Sequence, residues 1–306
     1  MVFPESSGCP MDDEIRAELG FRRSLNDATP QKYEGCDANG TWWQLYEGDA
    51  IQSLKLLPDA FVDCVITSPP YFWLRDYGVD GQIGKEETVE GYVSAICATM
   101  AEIRRTMKKG GTLFLNIGDT YYSGKGKSHG QDKKSRKRRF GLRAVDKSGG
   151  MDIGYQRKSI IGIPWRVAMR MCENGWVLRS PIIWHRDKCL PESVRDRPRR
   201  SYEFVFMFVK DRRYYFNREM LEAGDIGEDV WTITPRSKNN GKVDSAPFPE
   251  ELVTRCLDIG CPPGGVVLDP FAGSGTTMQV ALARGNPAIG IELHHKFCLY
   301  IRKTIR

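Results

Sequence analysis

Apolar positions in this chain fall into two rhythms. From Thr88 to Lys109, Val89, Tyr92, Val93, Ile96, Cys97, Met100, Ile103 and Met107 recur at steps of three and four, the spacing of one helix face. Glu86, Glu87 and Glu90 lie at its start, and Arg104, Arg105, Lys108 and Lys109 at its end. These charges complement the helix dipole, and Gly110-Gly111 predicts the stop. On either side the rhythm changes. "FVDCVIT" and "TLFLNIGD" are nearly unbroken apolar runs, as expected of parallel strands covered on both faces, so the three segments read as a βαβ unit. "WWQLYEGDA" (Trp42–Ala50) reads as a short strand ending at Gly48-Asp49. "IGIPWRVAMRMCENGW" predicts a helix with Pro164 near its first turn, and "VLRSPIIWH" and "YEFVFMFVK" predict strands. A further helix starts with Pro249 at its first position and Glu250 and Glu251 in its first turn. Last come strand, glycine turn, helix and strand through "GVVLDPFAGSGTTMQVALARG" and "PAIGIEL". The alternation predicts an α/β, Rossmann-like fold: a mostly parallel sheet with helices on both faces.

Two stretches depart from this pattern. Residues 1–40 are polar and aperiodic and are expected to form an arm or cap on a domain spanning 41–306. Residues 123–158 hold twelve Lys and Arg against three Asp. The chain carries a net charge of +6, so its basic character lies in this Gly-rich insertion, which suggests a polyanionic partner. A Pro- and Arg-rich loop occupies 186–201. No apolar run is long enough for a membrane span, and the acidic N-terminus does not read as a signal peptide. None of the nine cysteines forms a C-x-x-C pair, so reduced intracellular thiols are expected, without a zinc site or disulfide framework.

Chemistry enters with Val266–Thr277, "VVLDPFAGSGTT", a buried strand feeding a glycine turn that opens a helix. Gly273 and Gly275 permit a tight turn and close approach of a ligand to the backbone. No lysine follows Gly275, which excludes a P-loop. The third small residue of a dinucleotide fingerprint is replaced by Met278. Glu292 ends the next strand at the spacing of a carboxylate that holds ribose hydroxyls. Asp269, ahead of the turn, would repel a diphosphate and attract an ammonium group. Ribose, adenine and an amino-acid ammonium together describe S-adenosylmethionine; a plain strand–turn–helix with an incidental Asp is the alternative.

With "TSPPY" at Thr67–Tyr71 added to "DPFAGSGTT", the chain resembles the permuted, β-class amino-methyltransferases of DNA. The likeness runs over about residues 42–306 and includes "LYEGD", "GTLFLNIGD", "PESVRDRPRRSYEFVFMFVK" and "APFPEEL". It implies a class I methyltransferase fold with a seven-stranded sheet and permuted motif order. It also implies S-adenosylmethionine as methyl donor, S-adenosylhomocysteine as product, and no metal. An exocyclic amine is a poor nucleophile because its lone pair is delocalised into the ring. Acceptors on its N–H bonds favour a more tetrahedral nitrogen, and Ser68 Oγ and the Pro69 carbonyl can supply two. The Pro69-Pro70 pair stiffens the backbone and has no N–H to misdirect the amine. Catalysis would then rest on positioning and electrostatics.

The target base must leave the duplex. By the resemblance Tyr71 is its stacking surface, with Phe72 and Trp73 nearby as wall or wedge. Serine at position 68 usually accompanies cytosine-N4 chemistry in this family, and adenine-N6 is the alternative. Cytosine-C5 chemistry lacks its Pro-Cys nucleophile. The resemblance places Asp49 against the adenine ring and gives the cofactor the turn residues Phe271, Ala272 and Ser274. Thr276 and Thr277 could hold the cofactor's carboxylate. Phe248 either packs near the cofactor or acts as a hydrophobic staple. Asp244 stands where the family has a histidine and receives no role.

DNA contacts are expected from Lys133, Lys134, Arg136, Lys137, Arg138 and Arg139, and from Arg195, Arg197, Arg199 and Arg200. "KKSRKRR" could also direct the protein to a nucleus. The expected location follows the DNA: cytoplasm and nucleoid in a bacterium, nucleus in a eukaryote. Monomer and homodimer remain open. An enzyme of the same fold acting on RNA or on a protein glutamine amide, and a DNA-binding relative that has lost catalysis, are the competing readings; Ser68 argues against the first and the presence of the chemical residues against the second.

Overall fold

The computed structural model describes residues 29–72, 82–122, 155–156, 158–188, 195–222, 226–235 and 248–305. The strands are β1 (Gln31–Cys36), β2 (Trp42–Glu47), β3 (Val62–Thr67), β4 (Met107–Ile117), β5 (Val177–His185), β6 (Tyr202–Val209), β7 (Val230–Thr232), β8 (Val267–Asp269) and β9 (Ala288–Glu292). The helices are α1 (Ala50–Lys55), α2 (Val89–Thr106), α3 (Ile163–Glu173), α4 (Glu219–Glu222), α5 (Glu250–Gly260), α6 (Thr276–Ala283) and α7 (His295–Thr304).

The nine described strands form one sheet in the order β1-β2-β9-β8-β3-β4-β6-β5-β7. The central seven match the expected sheet, and β1 and β7 extend its edges. Strand β6 runs antiparallel to both β4 and β5, and β1 antiparallel to β2; the other neighbours are parallel. Strand β3 carries the burial its sequence predicts: Val62, Cys64, Val65, Ile66 and Thr67 are buried. Alternate side chains go to opposite faces. Val65, Leu113, Leu115, Phe206 and Leu268 join the core under α1, α2 and α3. Cys64, Ile66, Phe114, Met207 and Val267 join the core under α5, α6 and α7. The chain winds outward in opposite directions from β8 and from β3, so the crevice between their carboxyl ends is the topological switch point, where open α/β sheets hold ligands.

Three expectations shift. The boundary at residue 41 falls inside the β1–β2 hairpin, whose register runs from Gln31↔Glu47 to Cys36↔Trp42, so the sheet begins at Gln31. Helix α2 stops at Thr106, before the glycines. Met107 is already extended and pairs with Val62 in the parallel ladder; sheet pairing overrides the helical period. An added Cβ on Gly111 would stand 2.9 Å from the Asp63 carbonyl oxygen, which accounts for glycine there. Pro249 occupies the N-cap of α5, and the helix starts at Glu250.

The loop after β4 is anchored from both sides. Gly162, the N-cap of α3, has φ +78 and no capping side chain. Asp119 takes over the capping, accepting from the Gly162 and Ile163 amides at 3.0 and 3.1 Å. No helix among the described residues is long and apolar enough to cross a membrane. The cysteines described there are free.

Candidate active site

Four neighbouring strands, β2, β9, β8 and β3, end at the carboxyl edge of the sheet beside residues singled out above. Strand β8 ends at Asp269, which is 2% exposed. Its register neighbours on β3 place Ile66 beside it, with Thr67 and Ser68 following. The two ends are joined directly: Thr67 Oγ1 donates to Asp269 Oδ1 at 2.7 Å. Thr277 Oγ1 donates to Asp269 Oδ2 at 2.7 Å, and the Phe271 amide to Oδ1 at 3.1 Å. Burial raises the Asp269 pKa to about 6 despite these three bonds.

Thr277 was a candidate for the cofactor's carboxylate; the structure gives its single proton to Asp269 instead. A buried carboxylate needs such donors, since an unpaired charge there is costly. Thr67, to which the sequence pattern assigns no role, is the other donor. Thr276 Oγ1 is different: it is buried, has no hydrogen-bond partner, and sits at the first position of α6.

The glycine turn has the geometry its sequence implies. Gly273 and Gly275 have φ +54 and +80. A Cβ on Gly275 would stand 2.9 Å from Ile301 Cγ1, whereas Gly273 faces open space apart from the Phe271 carbonyl oxygen at 3.9 Å. Ala272 is buried, and Phe271 and Ser274 are half-buried. Glu292 closes the turn: its carboxylate accepts from the Gly273 amide and from the His294 amide, both at 2.8 Å. Burial, with a smaller contribution from the nearby Asp269 charge, raises its pKa to about 7. Strand β2 ends beside Glu292, and the Gly48 amide donates to the Glu292 carbonyl at 3.0 Å. Asp49 follows and caps α1, accepting from the Gln52 amide at 2.9 Å. Phe248 is buried in the same core cluster as Val253. These residues hold the N′ and N4 positions around the Pro249 cap, the arrangement of a hydrophobic staple.

This donor set fits a nucleoside carrying an amino acid. It combines the buried Asp269 carboxylate, the half-buried Glu292 carboxylate, an open glycine surface and an unpaired hydroxyl at a helix N-terminus. A phosphate would meet the carboxylates as like charges.

The Ser-Pro-Pro-Tyr loop leaves β3 on the other side of Asp269. Pro69 is buried, Ser68 and Pro70 are half-buried, and the Pro70 carbonyl accepts from Tyr92 Oη on α2 at 2.9 Å. Tyr71 Oη donates to Glu203 Oε2 at 2.5 Å and lies 3.3 Å from Asn116 Oδ1. Glu203 Oε1 accepts from Arg186 at 3.0 Å. The Tyr71 pKa lies well above the usual phenol value, chiefly through burial and then through the Glu203 charge; a hydrogen bond with the Ser68 hydroxyl works the other way. Phe72 is 4% exposed and packs at 5.3 Å from the Tyr92 ring. It belongs to the core and is neither wall nor wedge. Trp73 lies outside the described residues.

Among the expected DNA-contacting arginines, Arg195 and Arg199 are exposed. Arg197 stacks 4.0 Å from the Tyr121 ring centroid. Arg200 donates to the Asp119 carbonyl and also faces Tyr121, so it holds the loop to the scaffold. Lys133, Lys134, Arg136, Lys137, Arg138, Arg139 and Asp244 lie outside the described residues. Among the described residues no cluster of His, Cys, Asp and Glu could hold a metal ion. Sequence reasoning missed Glu203, Asn116 and Tyr92, which lie far from Tyr71 along the chain; Glu203 in "SYEF" was the one readable signal, a lone acid opening an apolar strand.

Solved structures share this architecture. PvuII DNA methyltransferase, described as cytosine-N4-specific, matches with a TM-score of 0.61 at 21% identity, over 82% of each chain. TTHA0409, described as a putative DNA modification methylase of Thermus thermophilus and solved with S-adenosyl-L-methionine, matches with a TM-score of 0.58 at 25% identity. That match spans 85% of this chain and 93% of the other. The fold is thus that of the class I methyltransferases. A family model described as DNA methylase matches residues 62–303. Type II methyltransferase M.XycI of Xanthomonas campestris pv. cyanopsidis is 40% identical over 259 residues, 83% of this chain and 84% of the relative. The chain belongs to the DNA methylase family, whose members modify amino groups of adenine or cytosine.

Proposed function

We propose that the protein transfers a methyl group from S-adenosylmethionine to the N4 amino group of a cytosine turned out of duplex DNA. The observation that carries this reading is the Thr67–Asp269 hydrogen bond of 2.7 Å. It ties the strand end that delivers Ser68 to the strand end that opens the glycine turn, so target and donor subsites share one crevice. Asp269, Glu292, Gly273, Gly275 and Thr276 would hold the cofactor, with Asp49 and Phe248 at its margin. When bound, it supplies an electrophilic methyl group on a sulfonium. Ser68 Oγ and the Pro69 carbonyl accept from the amine and turn its lone pair toward that methyl. Tyr71 faces the base.

Serine at position 68 favours cytosine, as does the cytosine-N4 specificity of PvuII methyltransferase. The type II name of M.XycI supports a partner restriction enzyme. The protein would work wherever the DNA is held, with Arg195, Arg199 and the basic run Lys133–Arg139 contacting phosphates. The test is incubation of unmethylated DNA with labelled cofactor, followed by nucleoside mass spectrometry. N4-methylcytosine is expected; N6-methyladenine, or no labelled nucleoside, would overturn the assignment.

A further inference from the structure

We propose that an arginine-walled cavity at the amino edge of the sheet holds the phosphate backbone of a second DNA segment, separate from the duplex that presents the target base. The cavity has a volume of about 750 Å³. Four guanidinium groups wall it: Arg179 near the start of β5, and Arg212, Arg213 and Arg218 from the segment after β6. All four residues are exposed.

The wall is fixed to the scaffold. The segment after β6 crosses the start of β4, where the Tyr215 amide donates to the Gly110 carbonyl at 2.9 Å, and it reaches α5 through the Asn217 amide, which donates to the Ile259 carbonyl at 2.9 Å. Arg179 Nε donates to Tyr214 Oη at 2.9 Å. That bond orients the guanidinium and leaves its terminal nitrogens for a ligand. The carboxylate at the head of the segment is committed elsewhere: Asp211 accepts from the Arg213 amide at 2.9 Å and pairs with Lys109 at 3.5 Å. Among the described residues none of the four arginines forms an ion pair with a carboxylate, whereas Arg105, Arg170, Arg186, Arg255 and Arg284 each do.

The charge stands against its background. Residues 123–158, with twelve bases and three acids, carry +9 of a total of +6, so the rest of the chain is net −3. Four positive charges gathered there without acidic partners repel one another, and a bound polyanion removes that cost. Guanidinium forks match phosphate oxygens in pairs, and a cavity of this size admits more than one phosphate group. Its position rules out the duplex being methylated. Gly110 borders the cavity near the start of β4, seven residues before Ile117 at the strand's far end, a rise of about 23 Å. Ser68, Asp269 and Glu292 lie at that far, carboxyl edge, so a duplex seated over them leaves the cavity facing away. Holding one DNA segment there while the crevice samples another raises the effective concentration of DNA at the crevice.

The inference takes DNA as the partner and does not depend on which base is methylated. Its test uses a short duplex that the enzyme methylates, fixed sparsely to beads and loaded with protein, to which a labelled duplex of random sequence is added. Label retained per protein retained reports the second segment. Wild type should retain label. The triple variant Arg212→Gln, Arg213→Gln, Arg218→Gln should retain at least about tenfold less, because each lost phosphate contact weakens binding and flattens its salt dependence. Its own retention on the beads, its methylation rate on the short duplex and its sedimentation should stay within about twofold of wild type, as expected for a site far from the crevice. Wild type that retains no label, or a variant that retains as much, would overturn the proposal. A matched loss of methylation or of bead binding would assign these arginines to the target duplex, and altered sedimentation would assign them to self-association; either would also overturn it. Two competitors check the ligand: displacement of the label by inorganic phosphate at an equal phosphate concentration, or preferential capture of an RNA duplex, would remove DNA from the cavity.

Discussion

A single methyl group at Gly118 tests whether catalysis depends on where the Tyr71 ring sits. A Cβ on this residue would stand 2.6 Å from Tyr71 Cε2 and 3.2 Å from Cδ2 and Cζ. The Gly118 backbone lies outside the left-handed region, so alanine adds no conformational strain and the clash is the whole perturbation. Carbon atoms prefer separations of about 3.5–4.0 Å, so the ring must withdraw by about 1 Å. It cannot swing freely: its hydroxyl is bonded to Glu203, and the Pro70 carbonyl just before it is held by Tyr92. Overpacking of this kind costs about 1–3 kcal/mol, and a displacement of about 1 Å at a positioned group can cost about 100-fold in rate. Asp269 and Glu292 stand on other strands, so cofactor binding should be spared. The assay is single-turnover transfer of labelled methyl to unmethylated DNA, with cofactor affinity by calorimetry. Gly118→Ala should lose about two orders of magnitude in rate while binding cofactor within about twofold of wild type. A wild-type rate, or equal losses of rate and cofactor affinity, would refute the reasoning.

The carboxylates of Asp269 and Glu292 predict a pH signature. With pKa values raised to about 6 and about 7, Asp269 and Glu292 hold protons that the unfolded chain gives up. Their contribution therefore stabilises the fold below the ordinary carboxylate range and is lost as pH rises through those values. A cationic ligand favours the ionised forms, so S-adenosylmethionine should raise the melting temperature more at pH 8 than at pH 5; the reverse order would remove both groups from the site. Thr67→Val keeps the shape of a residue that is 0% exposed and deletes one donor to the Asp269 carboxylate. Loss of about 1.5–3 kcal/mol of stability is expected for a bond to a charged group, with weaker cofactor binding, and unchanged thermal and calorimetric values would count against the brace. Replacing the basic residues of Lys133–Arg139 with glutamine should weaken DNA binding and flatten its salt dependence. An unchanged salt slope in fluorescence anisotropy would assign the run to something other than phosphate contact.

What could be read from the sequence depended on whether a signal was local. Strands β3 and β4 announce themselves because burial on both faces leaves apolar runs, and the glycine turn because its backbone needs Gly275. The end of α2 misleads because Lys108 and Lys109 continue a helical charge pattern while Met107 is already committed to Val62 across the sheet. Strands β1 and β7 escape notice for a related reason: "QKYEGC" and "VWT" lie at sheet edges, half exposed, and an edge strand need not look apolar. The same logic divides the site. Ser68, Asp269 and Glu292 are legible because each belongs to a motif whose neighbours in sequence are its neighbours in space. Tyr71 could be named but not its partners, because Glu203 is 132 residues away on a strand that reaches the site only by running antiparallel between β4 and β5. That reversal matters to the chemistry. A parallel β6 would bring its carboxyl end to this edge of the sheet, whereas the antiparallel strand brings Tyr202 and Glu203 at its start. Hence an acid at the head of an apolar strand, which reads locally as a surface residue, becomes the carboxylate that holds the tyrosine of the Ser-Pro-Pro-Tyr loop.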